Sequence, residues 1–233
     1  MKKKRVLAII PARGGSKGIP RKNIKLLNGR PLIYYTIKEA LESNINKILV
    51  STDDTEIKKI SQKYGAEVMI RPKKLAQDDT SSIDVVIYIL KKLEQIGQKF
   101  DIFILLQPTS PLRTKEDINE ALNLFIENEC ESVISVNEVE HNPYWSFKIK
   151  DNYLQPLFAN KYLKMRRQEL PKVYMPNGAI FISKPSILEK KRTFYIKRML
   201  PYIINTGKGI DIDTEQDFKI AEYFMSKKNR VKF

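Results

Sequence analysis

Apolar positions along this chain follow two alternating patterns. Short apolar runs predict five buried strands, at residues 6–10, 47–51, 66–70, 101–106 and 132–136. Between them, four segments carry apolar side chains at helical spacing, as Ile33, Ile37 and Ala40 do in the first. Strands that alternate with helices predict an α/β fold with a doubly wound, mostly parallel sheet and right-handed connections.

This alternation lapses between residues 138 and 176. Two aromatic-rich stretches, 144–149 and 153–158, flank the pair Asp151-Asn152, which predicts a hairpin turn. An isolated hairpin is marginally stable, and aromatic side chains are enriched at subunit interfaces. We therefore expect an inserted excursion that forms a homodimer.

The pattern resumes beyond the excursion. Apolar runs at residues 178–183 and 201–205 predict two further strands, and Thr214 with Asp217 predicts the capped start of a last helix. The chain is thus expected to form a single domain, residues 1–233, with 138–176 as its insertion.

Composition narrows the class of partner. The net charge of +15 favours an anionic one, but the lysines are scattered and no nucleic-acid-binding signature appears, so we expect no nucleic acid. No apolar run approaches the length of a membrane span, so we expect no membrane partner. The single cysteine, Cys130, excludes an internal disulfide and favours a cytoplasmic location.

The residues that follow the first strand, 12–23, are called the glycine loop. They hold three glycines and four cations, Arg13, Lys17, Arg21 and Lys22. Glycine allows backbone N–H groups to approach an anion, and a loop at the carboxyl end of a parallel strand is a common ligand site. The spacing matches neither a Walker A loop nor GxGxxG. A triphosphate site is predicted, the alternative being a solvated basic turn.

Two carboxylates near the end of the chain, Asp211 and Asp213, alternate with isoleucines. In an extended backbone residues two apart face the same side, so Ile210 and Ile212 should be buried while both carboxylates emerge together. Mg²⁺ prefers one or two carboxylates completed by phosphate oxygens and water. A helix cap is the alternative, and it accounts for Asp213 but not for Asp211.

Other polar segments have two interpretations each. Residues 107–113 offer an amide, two hydroxyls and a guanidinium, which suit a hydroxylated substrate or an ordinary turn before a Thr114 helix cap. Asp53 and Asp54 favour a helix cap. The pair Arg166-Arg167 could bind a carboxylate or form a solvated basic face.

Six motifs in order resemble those of the acylneuraminate cytidylyltransferases, or CMP-nonulosonate synthetases. They are IPARGGSKG at residues 10–18 with Lys22-Asn23, Ser51-Thr52-Asp53, Arg71-Pro72 with Leu75-Ala76, QPTSPLR at 107–113, Arg167-Gln168 with Leu170-Pro171 and PNGAI at 176–180, and IDIDT at 210–214.

This resemblance implies a cytidylyltransferase that joins CMP from CTP to the anomeric hydroxyl of a nonulosonic acid, a nine-carbon 2-keto-3-deoxy sugar acid, and releases pyrophosphate with Mg²⁺. The implied residues are Arg13, Ser16, Lys22 and Asn23 for CTP, Arg71 and Ser82 for its nucleoside end, Gln107, Arg167, Phe194 and Tyr195 for the sugar acid, and Asp211 and Asp213 for Mg²⁺. Lys17 is a further phosphate candidate from its charge and position. Arg13, Lys22 and the two aspartates would be catalytic.

Alternatives remain within and outside this class. Legionaminate, pseudaminate or 3-deoxy-manno-octulosonate are alternative acceptors. A non-catalytic nucleotide- or RNA-binding protein is the alternative of a different class, against which the Asp211/Asp213 pair argues.

Overall fold

A computed structural model describes residues 4–205 and 207–230. The ends of the predicted domain, 1–3 and 231–233, lie outside the described residues. The strands are β1 (Val6–Pro11), β2 (Leu26–Leu27), β3 (Arg30–Pro31), β4 (Lys47–Thr52), β5 (Glu67–Ile70), β6 (Ile102–Leu105), β7 (Ser132–Glu138), β8 (Phe147–Lys150), β9 (Tyr153–Pro156), β10 (Tyr174–Ser183) and β11 (Met199–Ile203). The α-helices are α1 (Leu32–Leu41), α2 (Thr55–Lys63), α3 (Ser82–Gln95), α4 (Lys115–Glu127), α5 (Pro185–Lys191) and α6 (Glu215–Arg230).

Seven of these strands form one sheet in the order β11-β7-β10-β6-β1-β4-β5. Every pairing in it is parallel except those of β10, which runs antiparallel to both β6 and β7. The predicted mostly parallel α/β sheet is confirmed. Since β6, β1, β4 and β5 are adjacent and parallel, the loops that follow them meet at one edge of the sheet.

Helices cover both faces of the sheet. Along β1, Val6, Ala8 and Ile10 point into one core, with side chains of α1, α2 and α4. Leu7 and Ile9 point into the other, with side chains of α3 and α5. The period of two along a strand explains why β1 is apolar at every position.

A third, smaller core lies beyond the carboxyl edge of the sheet. Ile19 of the glycine loop and Ile212 are both fully buried there against Phe218, Ala221 and Met225 of α6. The side chains of Thr214 and Asp217 exchange the predicted capping bonds at the start of this helix. This packing fixes the last aspartate motif against the first loop of the chain.

The excursion contains the predicted hairpin, formed by β8 and β9 around Asp151-Asn152. Both turn residues have positive φ, 51° and 66°, as a type I′ turn requires. Large apolar side chains of this region are exposed in the described chain, namely Trp145, Phe147, Ile149, Tyr153, Leu154, Leu157, Phe158 and Leu163. The homodimer predicted from them stays a prediction.

None of the described helices is both long and apolar enough to cross a membrane.

Candidate active site

A cleft of about 520 Å³ opens at the carboxyl edge of the sheet. The glycine loop forms one wall, the segment from β5 to α3 (residues 71–81, the β5–α3 segment) forms another, and the loop after β6 closes the end. Predicted site residues that line it are Arg13, Ser16, Lys17, Lys22, Asn23, Arg71, Ser82, Gln107 and Asp213. Nine residues from four separate segments are therefore brought together as the parallel topology predicts.

The glycine loop is held in shape by buried polar contacts. Asn23 is buried, and its side-chain amide donates to the carbonyl of Arg13 at 2.9 Å. The N–H of Gly14 donates to Asp53 Oδ1 at 3.1 Å. A Cβ at Gly14 would lie 2.9 Å from Asp54 Oδ2, so glycine is required for this close approach.

Asp54 fulfils the helix-cap prediction. Its carboxylate accepts from the N–H groups of Glu56 and Ile57 at the start of α2. The same carboxylate pairs with Arg21 at 2.8 Å, and Arg21 also pairs with Glu56. Arg21 is thus engaged outside the cleft and is not among its lining cations.

Arg71 is the most buried cation of the cleft, with 5% of its surface exposed. Its Nε atom is buried without a hydrogen-bond partner in the described structure. Burial lowers the pKa of this guanidinium, an effect that the carboxylate of Asp53 partly offsets. A buried guanidinium with a free donor favours a polar or anionic ligand at this end of the cleft.

The two aspartates of the last motif have different surroundings. Asp213 is exposed over 75% of its side chain and pairs with Lys22 at 3.0 Å. Asp211 is half-buried, and burial raises the pKa of its carboxyl, while a hydrogen-bonding interaction with the Thr109 side chain opposes the rise. The expectation that both carboxylates emerge together is therefore wrong, because the extended segment turns Asp211 toward the loop after β6. Ile212 is fully buried as predicted, whereas Ile210 is only half-buried.

These carboxylates meet the chemical requirements of a magnesium site. Asp211 Oδ1 is buried without a hydrogen-bond partner, and such an orphaned anionic oxygen is suited to a cation. No cluster of three or more metal-ligating side chains occurs within the described residues, so the chain itself offers two carboxylates. That number is what Mg²⁺ uses when phosphate oxygens and water complete its coordination.

Gln107, which lines the cleft, lies close to Gly178 and Asp211. Gly178 has φ of +76°, and a Cβ there would lie 2.7 Å from Gln107 Oε1 and 3.1 Å from Asp211 Oδ2. A side chain at this position would displace the Gln107 amide or the Asp211 carboxylate from its place beside β10. The register shift of β10 between Pro176 and Phe181 lies at the same place.

Arg113 belongs to the same motif as Gln107. It is fully buried and holds the loop after β6 through hydrogen bonds. Its guanidinium donates to the carbonyl of Ala179 at 2.7 Å, to Thr36 Oγ1 at 2.8 Å and to the carbonyl of Gln107 at 3.3 Å. Burial lowers its pKa to about 10. The residue is therefore structural, and it fixes Gln107 relative to β10.

Three residues predicted to contact the sugar acid lie outside the cleft. Phe194 is only 5% exposed and packs against Phe103 and Phe181 in the core, with ring centroids 5.9 Å and 5.0 Å away. The ring therefore belongs to the core rather than to the cleft, in contrast to its expected contact with the sugar acid. Tyr195 lies on the surface, and Arg167 lines a separate depression of about 270 Å³ in the excursion. The roles of Tyr195 and Arg167 stay predictions.

Two polar residues that sequence reasoning did not single out take part in the site. The side chain of Thr109 acts to lower the pKa of the Asp211 carboxyl, and the Thr109 carbonyl accepts from the N–H of Ile212 at 2.9 Å. Asp78 pairs with both Arg13 and Lys17. Thr109 supplies one of the two hydroxyls of the motif at residues 107–113. No local pattern in the sequence indicates the role of Asp78, because its partners Arg13 and Lys17 lie more than 60 positions away.

The chain is 39% identical over 227 residues to a CMP-N,N'-diacetyllegionaminic acid synthase of Legionella pneumophila, covering 95% of this chain and 96% of that protein. It is 37% identical over 231 residues to an N-acylneuraminate cytidylyltransferase of Escherichia coli, covering 98% of this chain but 54% of that longer protein. A pseudaminic acid cytidylyltransferase of Campylobacter jejuni is 35% identical over 218 residues, with coverage of 93% and 94%.

Solved structures show the same fold. A CMP:2-keto-3-deoxy-manno-octonic acid synthetase complexed with CTP superposes with a TM-score of 0.74 at 17% identity, covering 96% of this chain and 99% of that one. The family model described as "Cytidylyltransferase" matches residues 7–231. The chain therefore belongs to the cytidylyltransferase family.

Proposed function

We propose that this chain transfers CMP from CTP to the anomeric hydroxyl of a nonulosonic acid. The anomeric oxygen forms a bond to the α-phosphorus while the bond from that phosphorus to the pyrophosphate oxygen breaks. The observation that carries the proposal is the convergence of Arg13, Lys17, Lys22 and Arg71 on one cleft beside the Asp211/Asp213 segment. The relatives named above for legionaminic, N-acylneuraminic and pseudaminic acid support the acceptor class.

The glycine loop is assigned to the triphosphate. Phosphoryl-type transfer requires mainly positioning and neutralisation of charge, which Arg13, Lys17 and Lys22 supply from one loop. Ser16 adds a hydroxyl donor to the same wall of the cleft. At the far wall, Arg71 and Ser82 are assigned to the nucleoside end.

Asp211 and Asp213 are assigned to Mg²⁺ on the strength of the orphaned Asp211 oxygen. Bound there, the ion supplies positive charge that neutralises phosphate oxygens and favours deprotonation of the attacking hydroxyl. The chain contributes the position of the two carboxylates, through the hydrogen bond from the Ile212 N–H to the Thr109 carbonyl and the burial of Ile212. Lys22 Nζ also donates to the carbonyl of Ile212 at 2.6 Å, which fixes that segment further.

The sugar acid is assigned to the inner end of the cleft, where Gln107 offers an amide. Arg167 lines a depression outside the cleft of its own chain, and we propose that it contacts the carboxylate of a sugar acid bound to a second copy. The exposed apolar side chains of the excursion support such a homodimer, because large exposed apolar patches mark interaction sites. Ile149 and Leu154 are cross-strand neighbours exposed over 76% and 67% of their surface.

The dimer is tested by light scattering at micromolar concentration. The wild-type chain is expected to have twice the mass of one copy, and Ile149→Lys is expected to be monomeric with an unchanged melting temperature. Lys148→Ala, on the opposite face of the hairpin, is the matched control and should stay dimeric. A monomeric wild-type protein would contradict the homodimer.

The function itself is tested by pyrophosphate release. CTP is offered with a panel of acids: N-acetylneuraminate, N,N'-diacetyllegionaminate, pseudaminate and 3-deoxy-manno-octulosonate. Release that depends on both CTP and a nine-carbon acid is expected, and the panel identifies the preferred acceptor. CTP binding without release in the presence of any acid would instead favour a non-catalytic nucleotide-binding protein.

A further inference from the structure

Asp78 forms two ion pairs with cations of the glycine loop. Its Oδ1 atom lies 2.6 Å from Arg13 Nη1, and its Oδ2 atom lies 2.7 Å from Lys17 Nζ. Each carboxylate oxygen thus engages a different cation, as two oxygens of a phosphate chain would. Arg13 and Lys17 are the cations that the proposed function assigns to the triphosphate.

The carboxylate reaches these cations from across the cleft. Asp78 belongs to the β5–α3 segment, which contributes Leu75, Ala76, Gln77 and Thr80 to the opposite wall. Asp78 joins the segment to the glycine loop through these two ion pairs, and its carboxylate remains 45% exposed. Ion pairs at such an exposed site are weak and are readily exchanged for a stronger anion.

The β5–α3 segment is held together by short-range hydrogen bonds. The N–H of Leu75 donates to the carbonyl of Pro72 at 2.8 Å, and that of Thr80 donates to the carbonyl of Gln77 at 3.2 Å. Both hydrogen bonds join residues within the segment, and neither involves the glycine loop. Displacement of Asp78 therefore does not require the segment to unfold.

We propose that Asp78 is an internal competitor of the triphosphate and sets the affinity of the cleft for phosphorylated ligands. Its carboxylate takes the place of phosphate oxygens between Arg13 and Lys17 while the cleft holds no nucleotide. An entering triphosphate displaces it, and the tip of the β5–α3 segment moves away from the glycine loop. The identity of the nucleotide in this inference rests on the proposed function, whereas the competition for the two cations does not.

Competition by Asp78 should affect only ligands that carry phosphate groups. A ligand that reaches Arg13 and Lys17 must displace the carboxylate, whereas a nucleoside without phosphate need not. Removing the charge of Asp78 should therefore tighten the binding of triphosphates and leave the binding of cytidine unchanged. If Asp78→Asn acted only by making the surface more positive, it would strengthen the binding of every anion. Removing any other nearby carboxylate would then have the same effect.

Asp79 provides the matched control. It is the next residue, is exposed, and forms no ion pair in the described part of the chain. Asp78→Asn and Asp79→Asn make the same change in net charge one position apart. Both side chains are exposed, so both variants should keep the melting temperature of the wild type.

The experiment is calorimetric titration of the full chain, without sugar acid and at fixed ionic strength, with CTP, cytidine and inorganic tripolyphosphate. Asp78→Asn is expected to bind CTP and tripolyphosphate about 2- to 30-fold more tightly than wild type, the range expected for two exposed ion pairs. Asp79→Asn should change the dissociation constants of CTP and of tripolyphosphate by less than about twofold each. Asp78→Ala, which has no side-chain polar group, should reproduce the effect of Asp78→Asn.

Two outcomes would overturn the inference. Equal tightening by Asp78→Asn and Asp79→Asn would assign the effect to net charge, and unchanged or weaker tripolyphosphate binding in Asp78→Asn would exclude competition. Failure of the proposed function would give a different result. Neither the wild type nor any variant would then bind CTP more tightly than tripolyphosphate, but Asp78→Asn would still bind tripolyphosphate more tightly than the wild type does.

Discussion

Lys22 and Asp213, 191 positions apart in the chain, form an ion pair of 3.0 Å at the mouth of the cleft. The lysine belongs to the first loop and the aspartate to the last motif, and the buried side chains of Ile19 and Ile212 hold both segments against α6. A proposed triphosphate cation and a proposed metal carboxylate are thus kept next to each other by packing that lies outside the main sheet.

Asp213→Asn should remove turnover and keep the fold. The change is nearly isosteric and the side chain is mostly exposed, so the melting temperature without metal should stay close to that of the wild type. Turnover should fall by about 100-fold or more, because a metal contributes several kcal/mol of charge stabilisation. Added Mg²⁺ should raise the melting temperature of the wild type but not of this variant.

Glu215→Gln is the matched control for that change. Glu215 lies two residues further on and pairs with Lys25 outside the cleft. Its variant should keep both turnover and the response to Mg²⁺. An active Asp213→Asn enzyme, or a wild-type enzyme that is indifferent to EDTA, would contradict the metal assignment.

Lys22→Ala should weaken CTP binding specifically. The lysine side chain is only 13% exposed, and loss of a buried charged partner costs about 2–5 kcal/mol, or at least about thirtyfold in the dissociation constant. Titration with CTP measures the loss. Lys25→Ala, which removes a neighbouring cation from outside the cleft, should change the constant little. Equal effects of the two variants would mean that the loop acts through net charge rather than through Lys22.

Gly178→Ala should disturb the sugar-acid end of the cleft. The new methyl group would lie 2.7 Å from Gln107 Oε1, so the amide must move. Alanine at positive φ also costs about 1–2 kcal/mol of stability. Gly97→Ala separates the two effects, because Gly97 has a similar φ of +75° and no atom within 4 Å of the added Cβ. Both variants should lose stability, but only Gly178→Ala should raise the KM for the sugar acid.

Arg167→Lys should raise the KM for the sugar acid with little change for CTP. The substitution keeps the charge but loses the planar group that binds a carboxylate through two parallel hydrogen bonds. Arg166→Lys, at the preceding exposed position, serves as the control. If Arg167 acts on the cleft of a second copy, mixing inactive Asp213→Asn and Arg167→Ala chains should restore part of the activity. If Arg167→Lys weakened the binding of CTP and of the sugar acid equally, Arg167 would not be a specific contact of the sugar acid.

Much of the fold follows from local patterns in the sequence. The apolar run of β1 and the capping residue Asp54 act over a few positions, and both predictions are confirmed. Strand direction does not follow from such patterns, since β10 runs antiparallel although its apolar run resembles the others. The short hairpin of β2 and β3 was not predicted, although the pair Asn28-Gly29 is a common turn signal.

The sequence predicts the site correctly for residues whose position depends only on the order and direction of the strands. The parallel strands bring their carboxyl ends together, so Arg71 and Gln107 reach the same cleft as the glycine loop. Phe194 shows the limit, because an aromatic residue in a loop gives no indication of whether it faces a ligand or Phe103 in the core. The pairing of Asp78 with the glycine loop depends on how two distant segments fold against each other.

The central claim, cytidylyl transfer to a nonulosonic acid, is tested most directly by ³¹P NMR of the reaction mixture. With CTP, Mg²⁺ and the preferred acid, we expect the signals of CTP to be replaced by equal amounts of pyrophosphate and of a single CMP ester. GTP, ATP and UTP should give little or none. Free CMP with pyrophosphate and no ester, or equal turnover of all four triphosphates, would contradict the account.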